Sequence, residues 1–155
     1  MTGTGASMRL TEHGFAVLPA PLDLQPTASG AWTDTGLQVA LPAAGTYQLD
    51  ATVRAALAAT SPCNVYISAR LFDVTAGAVV PDSEVIIHQI NLSASAGVVN
   101  GGLNVSGPIQ IEYVTAGPRT VRVQAKRVNA TGVSITAQIL YNADGRTTLR
   151  FTRIA

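Results

Sequence analysis

Residues 30–55 read GAWTDTGLQVALPAAGTYQLDATVRA, and two alternating runs inside this stretch decide the fold class. The first run places apolar side chains at Leu37, Val39 and Leu41, and the second, 47–53, continues with apolar residues at its odd positions. The breaker segment 42–45, PAAG, separates the two runs. A period of two buries one face of a strand and leaves the other in water. The stretch therefore predicts an antiparallel strand pair in a β-sandwich or barrel.

Similar alternation continues along the chain, and turn signals recur about every 8–12 residues, which is typical of all-β sandwiches. The pattern predicts an all-β protein, an antiparallel β-sandwich of eight to ten strands. A jelly roll is the preferred arrangement. An immunoglobulin-type sandwich is second, because this chain lacks the paired cysteines of that fold. The alanine-rich segment 55–59 is predicted as a strand end and loop, and 98–105 as a weak strand broken by Asn100-Gly101-Gly102.

The composition indicates one domain with an unusually uncharged surface. The chain has 155 residues, of which 47% are hydrophobic and 12% charged, about half the charge of an average soluble domain. Residues 1–12 show no periodicity and are predicted as a flexible N-terminal arm before a single β-sandwich domain, 13–155. So little charge suggests that part of the surface is covered by another subunit. The alternative is an ordinary monomer whose alanines inflate the hydrophobic fraction.

Charge and hydropathy exclude several classes of protein. The net charge of +1 gives no global electrostatic case for binding nucleic acid or an anionic membrane. No apolar run approaches the roughly 20 residues that span a bilayer. The first ten residues contain no apolar signal-peptide segment, which predicts synthesis in a cytoplasm without export. The single cysteine, Cys63, excludes an intrachain disulfide and a cysteine-based zinc site, and it is predicted to be buried.

No constellation of catalytic or metal-binding residues stands out. His13 and His88 lie far apart in sequence, and the alternation places His88 on a polar face, which predicts an exposed or interface position. No Gly-x-Ser-x-Gly nucleophile motif occurs. We therefore predict no catalytic, cofactor-binding or metal residues, and no cofactor. The carboxylates are predicted to be solvated residues of turns and wet faces: Asp50, Asp73, Asp82, Glu84, Glu112 and Asp144.

Most of the basic charge lies in the C-terminal part of the chain, at Arg119, Arg122, Lys126, Arg127, Arg146, Arg150 and Arg153. Arg122 and Lys126 share one face of their predicted strand, and Arg146 and Arg150 share one face of theirs. Neighbouring strands would then form a basic stripe for an acidic partner or a phosphate. The alternative is that these residues pair with carboxylates on adjacent strands.

Three segments resemble a known family of viral proteins. Residues 36–47, GLQVALPAAGTY, are similar to the Leu-Pro-x-x-Gly-x-Tyr start of the complement-C1q/tumour-necrosis-factor-like jelly rolls of phage virion proteins. Residues 120–127, TVRVQAKR, and 144–154, DGRTTLRFTRI, resemble the last strands of that family in phages of actinobacterial hosts. The likeness covers about 32–154. It implies a homotrimer with strand edges packed around a threefold axis, and it carries over no catalytic residue.

The resemblance implies a structural role in a virion that assembles in the bacterial host cytoplasm. Because the chain has a short arm and no shaft, we expect a capsid decoration (cement or head-fibre) protein that is not an enzyme. Its expected partners are its own copies and the major capsid protein or another virion protein, with neither nucleic acid nor membrane. Two alternatives stay open: the receptor-binding head domain of a tail fibre or spike, and a glycan-cleaving enzyme with carboxylates meeting at a subunit interface.

Overall fold

Ten strands account for most of the chain in the computed structural model, which describes residues 11–155 without the side chains of 95 and 96. The strands are β1 (His13–Val17), β2 (Leu22–Asp23), β3 (Thr33–Leu41), β4 (Gly45–Asp73), β5 (Ala78–Val79), β6 (Val85–Thr115), β7 (Arg119–Ile139), β8 (Tyr141–Asn142), β9 (Gly145–Arg146) and β10 (Thr148–Arg153). All pairings between them are antiparallel. The described residues contain no helix that could cross a bilayer. The all-β antiparallel sandwich of the jelly-roll type is confirmed.

The longest strands fold back on themselves. Tyr113 pairs with Tyr47 near the start of β4, yet its hydroxyl donates a 2.6 Å hydrogen bond to Asp73, the last residue of β4. A straight strand of 29 residues would separate its two ends by roughly 95 Å. In β6, His88 Nε2 lies 3.1 Å from the carbonyl oxygen of Gly102, which shows the same reversal.

The reversals of β4, β6 and β7 coincide, and we call this region the corner: 60–64 of β4, 92–98 of β6 and 129–133 of β7. The register shifts here, between Ser61 and Cys63 opposite β6 and between Thr60 and Asn64 opposite β7. Each strand runs through one sheet, turns at the corner and continues in the second sheet. The two halves of each strand therefore face each other across the core.

Gly132 shows why the corner needs glycine. Its φ is +72°, and a Cβ added there would lie 2.7 Å from the carbonyl oxygen of Pro62 and 2.8 Å from Cβ of Cys63. Any other residue would combine left-handed backbone with a clash against β4. This glycine lets β7 follow the bend of β4 at close range.

Each half of the folded strands belongs to one sheet. In the first sheet, β6 (85–92), β4 (63–73), β7 (121–131) and β3 lie in that order. In the second sheet, β6 (97–115) pairs with β4 (45–60), whose other side meets β10 and β7 (133–139), with β1 and β2 outside them.

The core follows the period of two that the sequence shows. All odd-numbered residues of β4 from Tyr47 to Leu71 are buried, and this holds even at the corner, where Ser61 and Cys63 are 5% and 2% exposed. Tyr47 meets Phe151 of β10 edge to face, with ring centroids 5.7 Å apart. Leu37, Val39 and Leu41 of β3 complete the opposite layer. The predicted burial of Cys63 is confirmed.

The predicted pairing of the first two alternating runs is wrong. β3 pairs with β7, whereas the first half of β4 pairs with β6 and β10. Segment 42–44 carries the chain from one sheet to the other, and the hydroxyl of Tyr47 holds it by donating to the carbonyl oxygen of Ala43 at 2.9 Å. Alternation shows which face of a strand is buried, but two runs in opposite layers bear the same pattern as a hairpin.

The alanine-rich segment 55–59 is also not a loop, because it lies in the middle of β4. All five residues are buried, with exposed fractions of 3% or less, so the strand is covered on both faces and its alternation disappears. Segment 98–105 is likewise part of the continuous β6. The Asp-Gly hairpin is confirmed between β8 and β9, although β10 begins only at Thr148.

Most of the predicted arm, residues 1–10, lies outside the described residues, so the division into arm and domain stays a prediction. Glu12 is described and is tied to the last strand: its carbonyl oxygen accepts a 2.8 Å hydrogen bond from the backbone N–H of Arg153.

Candidate interaction surfaces

The end of the molecule opposite the corner, which we call the loop end, is held by a buried carboxylate. Asp73 is 1% exposed and accepts hydrogen bonds from the hydroxyl of Tyr113 at 2.6 Å and the backbone N–H of Ala76 at 2.8 Å. The guanidinium of Arg119 lies 3.4 Å from the same carboxylate. The predicted solvated position of Asp73 is therefore wrong. The carboxylate joins the end of β4 to β6, to the following turn and to the start of β7.

Burial of the phenol, together with its hydrogen bond to Asp73, raises the pKa of Tyr113 to about 12. Burial disfavours the charged phenolate, and ionising Tyr113 would also place a second negative charge beside the carboxylate of Asp73. The hydroxyl therefore remains a donor through the neutral pH range.

Four of the C-terminal basic residues pair with carboxylates. Besides Arg119 with Asp73, Arg122 binds Asp34 and donates to Gln38 on β3, and Lys126 Nζ lies 2.7 Å from Glu84. The fourth, Arg153, lies 3.1 Å from Glu12.

No basic stripe forms across the two strands, because β7 and β10 each pair with β4 and not with each other. Arg146 lies on β9, separate from the strand of Arg150, and each guanidinium lies over an aromatic ring, at 5.3 and 5.5 Å from Tyr141 and Phe15 respectively.

Arg127 has a structural role that the sequence reasoning missed. It is only 7% exposed, and its guanidinium donates to the carbonyl oxygens of Leu24 and Thr27 and to Ser134 Oγ. It thereby fastens the loop after β2 to the bend of β7. The alternation could have indicated this position, since Arg127 continues the buried odd-numbered phase of its strand.

The outer face of the first sheet carries an aromatic and cationic cluster around Trp32. The guanidinium carbon of Arg70 lies 4.0 Å from the Trp32 ring centroid, and Lys126 Nζ lies 4.3 Å from it. Arg70 also donates to Gln124 at 3.0 Å, and burial lowers its pKa although Glu84 acts in the opposite sense. The segment before β3 therefore lies over this face of β4.

The histidines do not converge on a site. His13 is exposed in β1, whereas His88 is only 8% exposed, so the exposed position predicted for it is wrong. The reason is a register shift: His88 pairs with Ile67 and Ile86 pairs with Ser68, which turns Ile86 outward and His88 inward. No group of three or more His, Cys, Asp or Glu side chains capable of holding a metal occurs within residues 11–155 as described.

A shallow groove of about 330 Å³ crosses the outer face of the second sheet. It is lined by Gln48, Gln110, Ile111, Glu112 and Ile154, so its lining includes one carboxylate. Amide side chains and an exposed carboxylate suit hydrogen bonding to a polar partner.

The side of the molecule formed by β6, which we call the uncharged side, has a different chemistry. Within the described residues β6 pairs only with β4, so its other edge has no strand beside it. From 85 to 111 the sequence contains no Asp, Glu, Lys or Arg. Segment 55–69 of β4, which pairs with β6, also lacks these residues, and so does segment 128–143, most of which lies on β7 along the other edge of β4. Four large apolar side chains on this part of β6 are exposed: Ile86 (55%), Leu92 (39%), Val98 (64%) and Leu103 (53%).

The edge formed by β3 contrasts with this side. It carries Asp34, paired with Arg122, and its register with β7 shifts between Asp34 and Gln38 around Gly36, whose φ is +78°. Charges and bulges are the usual devices that keep a sheet edge from pairing with another chain. The edge of β6 has no charge from 85 to 111, and its proline, Pro108, lies near the end of this range.

Comparison with known proteins gives a likeness in fold. No family model matches the sequence, and no curated protein matches it. Among solved structures, the chain is similar to the VP2 protein of infectious bursal disease virus in a subviral particle, with 9% identity, a TM-score of 0.54 and coverage of 99% of this chain and 37% of that chain. A mutant VP2 protein of the same virus from derived T=1 particles gives 11% identity, a TM-score of 0.53 and coverage of 99% and 36%. This chain thus spans little more than a third of VP2, and the likeness is one of fold.

Proposed function

We propose that this chain is a structural protein of a virus particle that acts by binding and not by catalysis. The observation that carries this proposal is the match of 99% of the chain to VP2 of infectious bursal disease virus in subviral and derived T=1 particles. The sequence resemblance to phage virion jelly rolls, at 36–47, 120–127 and 144–154, supports the same class by a likeness in sequence.

Within that class, the proposed role is decoration of a phage capsid as a C1q/TNF-like homotrimer that binds the major capsid protein. The trimer follows from the family resemblance. It is supported by the low charged fraction of 12% and by the exposed apolar side chains of β6, since monomeric proteins rarely leave large apolar patches uncovered.

Decoration stabilises a shell by linkage. A protein that binds the assembled shell and not the free subunits shifts the equilibrium toward the shell, by RT ln(1 + [L]/Kd) for each site. A trimer that contacts several capsid subunits at once gains further from multivalency, because its second and third contacts form at high effective concentration. No reaction is needed for this effect.

The test is binding of the purified chain to shells of the phage that encodes it, assembled without this protein. We expect binding to saturate at a fixed ratio to the capsid protein and to raise the melting temperature of the shells. Unassembled capsid subunits serve as the control and should bind weakly. Adsorption to host cells without binding to shells would contradict decoration and favour the receptor-binding head of a tail fibre or spike.

A further inference from the structure

The uncharged side has no explanation within the single chain. Its four exposed residues, Ile86, Leu92, Val98 and Leu103, contribute little to the core, because each leaves between 39% and 64% of its surface in water. Both halves of β6 lie on this side, one in each sheet, and the side chain of His88 spans the gap between them to Gly102. The surface is therefore continuous from the first sheet to the second.

An exposed sheet edge is a template for association. The outer N–H and C=O groups of β6 have no partner strand among the described residues, and natural proteins normally protect such an edge with charges, bulges away from the sheet or a covering segment. The β3 edge carries both a charge and a register shift, whereas β6 between 85 and 107 has register shifts, at Ile87 and around Gly102, but no charge. This difference indicates that β6 is covered in the working form of the protein.

The absence of charged residues on β6 indicates which kind of partner covers this edge. In a contact between identical subunits about a rotation axis, each residue comes close to its own copies, so a charge near the axis faces like charge. β6 itself carries no charge from 85 to 111, and two side chains of opposite charge, Arg54 and Asp144, reach it at Asn104. The β3 edge, in contrast, carries Asp34 with Arg122, and the loop end carries Glu12 with Arg153. A strongly charged partner would find no complementary charge on β6 and would lose hydration there.

We infer that copies of this chain associate through the uncharged side, with Ile86, Leu92, Val98 and Leu103 buried at the contact. This inference rests on the proposed homotrimer and specifies the surface that forms it. The loop end and the Trp32 face then remain free for the shell.

The experiment compares two single lysine substitutions at exposed positions, Val98→Lys on β6 and Ala40→Lys on β3, by light scattering after size exclusion over a range of concentrations. We expect the unchanged chain and Ala40→Lys to form trimers, with a mass close to three times the 16.0 kDa of one chain. Val98→Lys should weaken association by about 30-fold or more, because it buries an unpaired charge at the contact. Multimers of unchanged affinity in a folded Val98→Lys variant would overturn the inference.

Hydrogen–deuterium exchange of the unchanged chain tests the same surface without a substitution. Backbone amides of 97–107 should exchange more slowly at concentrations that favour the multimer than in dilute solution, and amides of β3 should not change. Equal protection at both concentrations, in a chain whose mass does change, would place the contact elsewhere and also overturn the inference.

The outcomes separate this inference from the proposed function. If the multimer binds shells and Val98→Lys does not weaken its association, the proposed decoration role is retained and the inferred contact surface is wrong. A monomer at every concentration removes both the surface and the trimer, while shell binding still decides whether the chain belongs to a virion. Association through β6 in a chain that binds no shell supports the surface alone.

Discussion

The loop end and the uncharged side differ in whether their side chains find partners within the chain. At the loop end, the buried carboxylate of Asp73 accepts a hydrogen bond from the phenol of Tyr113 and forms an ion pair with the guanidinium of Arg119. Along the uncharged side, apolar residues such as Val98 remain in water with no partner in the chain. The loop end therefore stabilises the fold of the single chain, whereas the uncharged side is suited to contact between chains.

The corner lies opposite the loop end and includes residues 92–98 of the uncharged side, and a substitution there should show the largest effect. Gly132→Ala is expected to lower the free energy of unfolding by about 3–4 kcal/mol, from left-handed backbone and from overlap with the carbonyl oxygen of Pro62. Gly77→Ala is the matched control, since its φ is +66° and nothing lies within 4 Å of the added Cβ. We expect about 1–2 kcal/mol there by denaturant titration. Equal losses at both glycines would show that the close approach at the corner carries no cost.

The buried carboxylate of the loop end should come next. Asp73→Asn removes the charge that faces Arg119 and weakens the bond from Tyr113, so we expect a loss of about 2–3 kcal/mol in unfolding free energy. Asp82→Asn, an exposed turn residue with a φ of 57°, is the control and should change stability by less than about 0.5 kcal/mol. If Asp73→Asn were equally harmless, the loop end would not be held by its polar cluster.

Tyr113→Phe should have a smaller effect that depends on pH. In neutral solution it loses one hydrogen bond, about 1 kcal/mol. The folded chain holds the pKa of Tyr113 near 12 against an ordinary value of 10.0, so the stability contributed by the neutral phenol is complete below pH 10 and is lost as the pH rises toward 12.

The measurement is denaturant unfolding on both sides of pH 10. The Phe variant should lose less stability than the unchanged chain over this rise, and Tyr66→Phe on β4 controls for removal of a phenol elsewhere. A Phe variant that loses as much as the unchanged chain would separate Tyr113 from the alkaline transition.

The smallest effect is expected from a pair of exposed valines on β6. Val98 is 64% exposed on the uncharged side, and Val114 is 71% exposed near the loop end, beyond Glu112. In dilute solution, Val98→Thr and Val114→Thr should each change stability by less than about 0.5 kcal/mol. At high protein concentration only Val98→Thr should lower the melting temperature relative to the unchanged chain, because only that position lies in the inferred contact. Identical behaviour of the two variants would remove the distinction between the regions.

Much of the fold was predictable because burial leaves a periodic trace. The odd positions of β4 and β3 were identified as a core face from their alternation alone, and the burial of Cys63 followed from its size and isolation. The predictions were wrong where the sequence pattern does not distinguish one structure from another. The segment 55–59 is buried on both faces and has no alternation, and the bulge at Ile87 reverses the phase of His88.

The candidate surfaces were less predictable than the fold. The low charged fraction indicated a covered surface, yet its location depends on β6 being an edge strand in both sheets. The pairing of Arg122 with Asp34 and of Lys126 with Glu84 joins residues far apart in the chain. Side-chain type shows that such ion pairs are available, but the strand order determines which ones form.

By itself, the sequence determined that this chain is an all-β sandwich with little surface charge, because alternation and composition are local properties of the chain. Only the tertiary structure decided that β4, β6 and β7 fold back at one corner, that β3 and the first half of β4 lie in opposite sheets, and that the uncharged stretch of β6 lies at a sheet edge. The physical reason is that strand pairing joins backbone groups distant in sequence, and the backbone hydrogen bonds of a sheet are the same for every residue type except proline.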